Sequence, residues 1–68
     1  MDISKILAHN FRKYREAAGK TVIEVADDLE LTRQTVYNIE SGEGWISRPN
    51  VIKVCKYFKI EQDKLFEK

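Results

Sequence analysis

Apolar positions recur along this chain at helical spacing, in five separate runs. In the first they fall at Ile3, Leu7, Phe11, Tyr14 and Ala18, steps of three and four that share one helix face. This predicts an inward stripe on a helix over 4–18, with Ser4 as its cap and Gly19 as its stop. The second run, Val22, Val25, Ala26 and Leu29, predicts a helix over 22–29. Thr21 precedes it and Glu24 follows three positions later, the pairing of a capping box. The third helix, over 33–41, turns only Val36 and Ile39 inward; Thr32 caps its start and Gly42 can end it in the left-handed conformation. Val51, Val54, Cys55 and Phe58 form the buried stripe of a fourth helix over 48–58. Ser47 is its N-cap, Pro49 is tolerated in its first turn, and Ile46 and Val51 are spaced for a hydrophobic staple. A short fifth helix over 62–66 returns Leu65 and Phe66 to the core, with Ile60 between helices. No repeat, linker or low-complexity segment interrupts this order. The expected fold is all-α, a five-helix bundle forming one domain over 1–68.

Composition narrows the picture. At 68 residues one domain is expected, and a domain this small buries only about 60% of its unfolded surface. With 43% apolar and 34% charged residues, the chain is too apolar for disorder and fits a compact helical fold. A single Cys allows no internal disulfide. One Cys and one His fall short of the roughly four ligands of a structural zinc site, so no metal or cofactor is expected. Packing alone must then stabilise the domain, and a reducing cytoplasm is its natural setting. No apolar run approaches the roughly 20 residues of a membrane span, and the beginning "MDISKILAHNF" lacks the basic start and apolar core of a signal peptide. The net charge of +1 does not by itself point to nucleic acid. Its distribution is more telling. Lys5, Arg12, Lys13, Arg15 and Lys20 come early, Glu24, Asp27, Asp28 and Glu30 form an acidic block, and Lys53, Lys56 and Lys59 follow. Each run also fits a plain solvated helix face.

Two helices joined by a tight turn over 21–41 make a helix-turn-helix pattern. At about 100° per residue, Val36 and Ile39 set the inner side of the second helix. Gln34, Tyr37, Asn38 and Ser41 fall on the opposite arc, with Arg33 at its edge. A merely solvated face more often carries Glu and Lys. These side chains have defined donors and acceptors: Arg matches guanine edges, and Gln or Asn matches adenine edges, in a major groove.

With "FRKYREAAGKT", "VADDLELTRQTVYNIESG" and "IEQDKLF", the chain resembles the lambda-repressor and Cro type of helix-turn-helix domain from about residue 7 to 66. The resemblance implies sequence-specific binding to double-stranded DNA, as a transcriptional regulator of repressor type in a prokaryotic, phage or plasmid setting. It implies that Arg33, Gln34, Tyr37 and Asn38 read bases. It places Thr21, Thr32, Ser41 and the amides near Gly42 against phosphate, with Arg12, Lys13 and Arg48 as supporting cations. Helix N-termini suit phosphate through their unpaired amides and positive dipole end. It further implies a partly buried ion pair, Arg15 with Glu40, joining the first and third helices. Two-fold dimers on DNA are usual for the fold, with half-sites about 34 Å apart, so a weak homodimer, preformed or completed on the operator, is the expected assembly. Trp45, Ile52, Leu65 and Phe66, with Ile23, are the candidate interface; partial burial between helices is the alternative for Ile23 and Ile52.

Four positions depart from the family pattern. Val22 replaces a Gln that often touches phosphate, and Lys20 stands where an apolar residue is usual. Glu30 replaces the Gly of the turn, at a cost of about 1 kcal/mol if the backbone there is left-handed. Glu43 puts an acid where the family tends to be basic. With the near-neutral charge, these leave open a second reading: a protein-interaction or antitoxin-type domain that keeps the fold with weak or no DNA binding of its own. Trp45 has three readings, as a core plug under its loop, a subunit contact or a DNA-backbone contact. Cys55 shares the fourth helix's apolar stripe and reads as core, and His9 as surface or a minor DNA contact. Asp27 and Asp28 diverge by about 100° on their helix. With no nucleophile–base arrangement and no phosphate-binding glycine loop, no enzyme activity is expected.

Overall fold

The computed structural model describes residues 3–43 and 46–68; Trp45 lies outside them. Five helices follow one another: α1 (Ile3–Ala17), α2 (Val22–Leu29), α3 (Arg33–Ser41), α4 (Arg48–Phe58) and α5 (Gln62–Leu65). α1 packs on α3 and α5, α2 on α3 and α4, and α4 on α5. Phe11, Val25, Ala26, Val36, Val54 and Leu65 are wholly enclosed at the centre. The Phe58 ring meets Phe11 edge-on at 5.5 Å and lies 6.1 Å from Tyr14, joining the end of α4 to α1.

Local chemistry sets the helix ends. Thr21 and Glu24 form the reciprocal capping box that opens α2, and the Thr32 hydroxyl accepts the Thr35 amide at the start of α3. Ser47 has cap geometry but makes no side-chain cap bond. Pro49, two residues on, lacks one of the two amides that a serine cap ordinarily bonds. At their ends α1, α2 and α4 share one closure. A left-handed residue follows each helix, Gly19 (φ 71°), Glu30 (φ 59°) and Lys59 (φ 59°). The next amide then bonds back across the turn: Lys20 to Arg15, Leu31 to Ala26 and Ile60 to Cys55, at 3.2, 2.9 and 3.0 Å. Glu30 and Lys59 adopt a conformation that costs a residue with a Cβ about 1 kcal/mol or more. Leu31 and Ile60 pack against the core immediately afterwards, which offsets that cost.

The face of α1 differs from its expected stripe. The helix begins at Ile3, so Ser4 lies inside its first turn and is not the cap. Ile3 is 53% exposed and Ala18 lies exposed beyond the helix end. The buried stripe is instead Ile6, Leu7, Ala8, Asn10 and Phe11. Asn10, 3% exposed, is polar, and its amide donates to the carbonyls of Leu65 and Glu67 at 2.8 and 2.7 Å. An unpartnered amide at that depth would cost about 1–3 kcal/mol; here it fastens the end of the chain to α1.

Arg15 reaches from α1 to α3. Its Nε and Nη2 donate to the two carboxylate oxygens of Glu40 at 2.6 and 3.0 Å, and its Nη1 donates to the Lys20 carbonyl at 2.9 Å. The Glu40 side chain is 6% exposed, so the pair is largely out of water. Arg12 adds a longer contact to Glu40, 3.5 Å, from an exposed position. Between α4 and α2, the Tyr57 hydroxyl donates to Asp28 at 2.5 Å. Partial burial, and then this carboxylate, push the Tyr57 phenol up to about 12. Burial also pushes the Cys55 thiol up, away from reactive thiolate and in keeping with its place in the core.

Two outcomes follow from these contacts. Arg15→Ala strands the Glu40 carboxylate and should destabilise the fold by about 3 kcal/mol, the low end for a buried pair because Arg12 still reaches Glu40. The melting temperature should fall by roughly 10–20 °C, and a melt equal to wild type would refute the role of the pair. Because the Tyr57 pKa is raised on folding, its contribution is complete below its ordinary value near 10 and lost as pH rises through about 12. An ultraviolet titration should therefore show a late tyrosinate phase near pH 12, and Tyr57→Phe should abolish that phase.

Candidate nucleic-acid interface

α2, the turn at residues 30–32 and α3 form one unit. Val25, Ala26 and Leu29 on α2 and Val36 and Ile39 on α3 are buried in the same cluster, which turns the remaining sides of both helices outward. Arg33, Gln34, Tyr37 and Asn38 are all exposed; Tyr37 is 52% exposed, a large apolar ring left in water. Gln34 and Asn38 are also joined, the Gln34 Nε2 donating to the Asn38 Oδ1 at 2.9 Å. These four side chains lie within two turns of helix, and the Arg15–Glu40 pair holds the flank of that helix between them and the buried Val36 and Ile39.

The candidate phosphate contacts differ among themselves. Thr32 is exposed at the α3 N-terminus, its hydroxyl shared with Thr35 at 2.7 Å. At the start of α2, the Glu24 carboxylate accepts the Thr21 amide at 3.0 Å, while the Thr21 hydroxyl accepts the Glu24 amide at 3.1 Å. The Thr21 amide and hydroxyl hold the Glu24 carboxyl below the usual carboxylate range, so an anion already sits at this helix end at neutral pH. At the other end of α3, the Ser41 hydroxyl donates to the Asn38 carbonyl at 2.9 Å, and the Gly42 amide bonds the Ile39 carbonyl at 3.3 Å. The Glu43 amide bonds the Ser41 oxygen at 3.4 Å, so the amides around Gly42 are engaged within the turn. Gly42 itself needs its glycine backbone, at φ 81°. Arg12 and Arg48 are exposed, and the Lys13 ammonium lies 5.0 Å from the centre of the Tyr14 ring.

One basic residue was not singled out from sequence. Lys5 lies beside the end of α3, its Cγ 3.5 Å from where a side chain on Gly42 would begin. Nothing in local spacing signals this, because the contact joins the first turn of α1 to the far end of α3.

The candidate subunit contacts separate. Leu65 is wholly buried, so it belongs to the core and is unavailable to a partner. Its placement follows from Asn10, which draws its backbone onto α1. Phe66 is half-buried and lines a shallow apolar groove of about 230 Å³ with Ile3, Leu7, Ile46 and Val51. Ile23 and Ile52 remain exposed, 41% and 40%, so neither is covered by neighbouring helices. Among the described residues, no group of three or more His, Cys, Asp or Glu could hold a metal ion, and no helix is long and apolar enough to cross a membrane.

A family model described as helix-turn-helix covers residues 11–65. Searches of curated proteins and of solved structures return no significant match. The matched region runs from Phe11 to Leu65 and so takes in α2, the turn, α3 and the Arg15–Glu40 pair behind them. The chain belongs to the helix-turn-helix family of the lambda-repressor type, whose function is DNA binding in transcription regulation.

Proposed function

We propose that this protein is a repressor-type regulator that reads a roughly palindromic operator, with α3 lying in the major groove of double-stranded DNA. One observation carries the reading: Val36 and Ile39 bury one side of α3, Glu40 anchors its flank, and its exposed side gathers Arg33, Gln34, Tyr37 and Asn38. Arg offers a donor fork to guanine, and Gln and Asn offer paired donor and acceptor groups to adenine. The Tyr37 ring supplies apolar contact. Arg12, Arg48 and the Thr32 hydroxyl contact phosphate and fix orientation, while the base contacts specify. The hydroxyls of Thr21, Thr32 and Ser41 and the Gly42 amide have partners within the chain, so their phosphate contacts rank below those of the two arginines.

Occupancy of a promoter by two copies is the regulatory act in this reading. The exposed apolar residues Ile23 and Ile52 are few, which suits a weak homodimer completed on the operator, with half-sites about 34 Å apart. A cytoplasmic setting in a bacterium, or on a phage or plasmid, accompanies it.

A backbone amide NMR titration with duplex DNA at low and then moderate salt tests the reading. Shifts should cluster on residues 33–42 and fade as salt rises. If none move even at low salt, the polar face of α3 serves a protein partner instead. With an operator in hand, Gln34→Ala should weaken specific binding by about 1–3 kcal/mol, and an unchanged affinity removes Gln34 from the readers. Arg48→Ala should weaken all sequences alike and lower the slope of log affinity against log salt by about 1; an unaltered slope means Arg48 meets no phosphate.

A further inference from the structure

The turn that closes α3 is poorly equipped to hold a phosphate. The Gly42 amide bonds Ile39, the Glu43 amide bonds Ser41, and the exposed Glu43 adds an acid. Lys5, from the first turn of α1, stands beside this turn. Its Cγ and Cα lie 3.5 and 3.8 Å from where a side chain on Gly42 would begin, so the stem of the lysine is laid against the end of α3. The residue stays exposed, the usual arrangement of a lysine that packs its methylenes and keeps its charge in water. Among the described residues it has no ion-pair partner. Glu67, which borders the same shallow cleft, is held by Lys64 at 3.3 Å. Arg12 lies two turns further along the same side of α1 and reaches Glu40 of α3 at 3.5 Å. Lys5 and Arg12 therefore mark the border between α1 and the C-terminal half of α3.

We propose, on the DNA-reading role set out above, that Lys5 holds a backbone phosphate of the bound duplex and forms with Arg12 a two-cation rail on α1 beside α3. Seven residues rise about 10 Å along a helix, and the phosphates of one strand follow at about 3.4 Å per step along the DNA axis. The rail thus seats two separate phosphates. It supplies from α1 the cation that the turn after α3 lacks, and it offsets Glu43. Contacts of this kind fix the orientation of the reading helix and carry no sequence information.

Binding of duplex DNA over a series of salt concentrations tests the rail with the wild-type chain, Lys5→Gln, Lys5→Arg and a double variant carrying Lys5→Gln and Arg12→Gln. Glutamine keeps the methylenes that pack on Gly42 and removes the charge, and matched thermal melts establish that each variant is folded. On two duplexes of unrelated sequence, Lys5→Gln should lower the slope of log affinity against log salt by about 1. Its deficit should therefore shrink about threefold between about 50 and 200 mM salt. Lys5→Arg should keep the wild-type slope, and the double variant should lower it by about 2. A Lys5→Gln slope equal to wild type, with or without a constant loss of affinity, overturns the proposal and leaves DNA reading in place. A double variant with the same slope as Lys5→Gln overturns the rail by removing Arg12 from it. If the wild type binds neither duplex even at low salt, the DNA role itself fails and the rail falls with it.

Discussion

α3 is nine residues long and buries two apolar side chains, Val36 and Ile39. Burial of that size contributes about 2–3 kcal/mol per side chain, enough to seat a helix on the core. It is non-directional, so it does little to stop such a helix from rolling about its own axis. The forked contact between Arg15 and Glu40 supplies the missing direction, because two parallel N–H···O bonds are satisfied over a narrow range of angles. The third N–H bond, to the Lys20 carbonyl, ties the same guanidinium to the chain between α1 and α2. One side chain thus references α3 to both preceding helices. The outward set from Arg33 to Asn38 inherits its aim from this contact.

The same economy appears in the connections. Helices α1, α2 and α4 each close on a left-handed residue whose successor's amide bonds back across the turn, and after α2 and α4 that successor is apolar; this closure turns the chain sharply with no extra loop. At Glu30 and Lys59 the chain accepts backbone strain to keep its turns short. In the α2–α3 turn the strain lies next to the surface proposed to face DNA. Glycine would relieve it, but would also leave more freedom in the unfolded chain, so a side chain at this position is less of a handicap than its dihedral suggests.

Much of this fold is legible in the sequence because its signals are local. Thr21 with Glu24, Thr32 with Thr35, and Gly42 act within a few residues, and the structure places α2 and α3 within the bounds that these residues mark. The outward direction of Gln34, Tyr37 and Asn38 is legible for the same reason, since Val36 and Ile39 leave the helix only one way to face. What escapes the pattern is what depends on distant partners. Ile3 has the right spacing for the α1 stripe, yet it is 53% exposed, at the edge of the groove lined by Ile46 and Phe66. Asn10 looks like a surface residue until α5 arrives beside it. Leu65 reads equally as core or interface, and its complete enclosure beside α1, where Asn10 bonds its carbonyl, decides. Lys59 gives no composition cue to its left-handed backbone, which goes with the Ile60 amide bonding back to Cys55.

The bond from Asn10 to Leu65 also bears on how the bundle comes together. It closes a loop across 55 positions, whereas Arg15 to Glu40 closes one across 25. The entropy cost of closure grows only with the logarithm of length, so the longer loop costs about 0.7 kcal/mol more. Two hydrogen bonds made by one amide, each contributing about 0.5–1.5 kcal/mol net, exceed that difference. The four-residue α5 is therefore a fastened part of the domain, and its attachment draws the two ends of the chain into the same cooperative unit as the helices that carry the proposed reading surface.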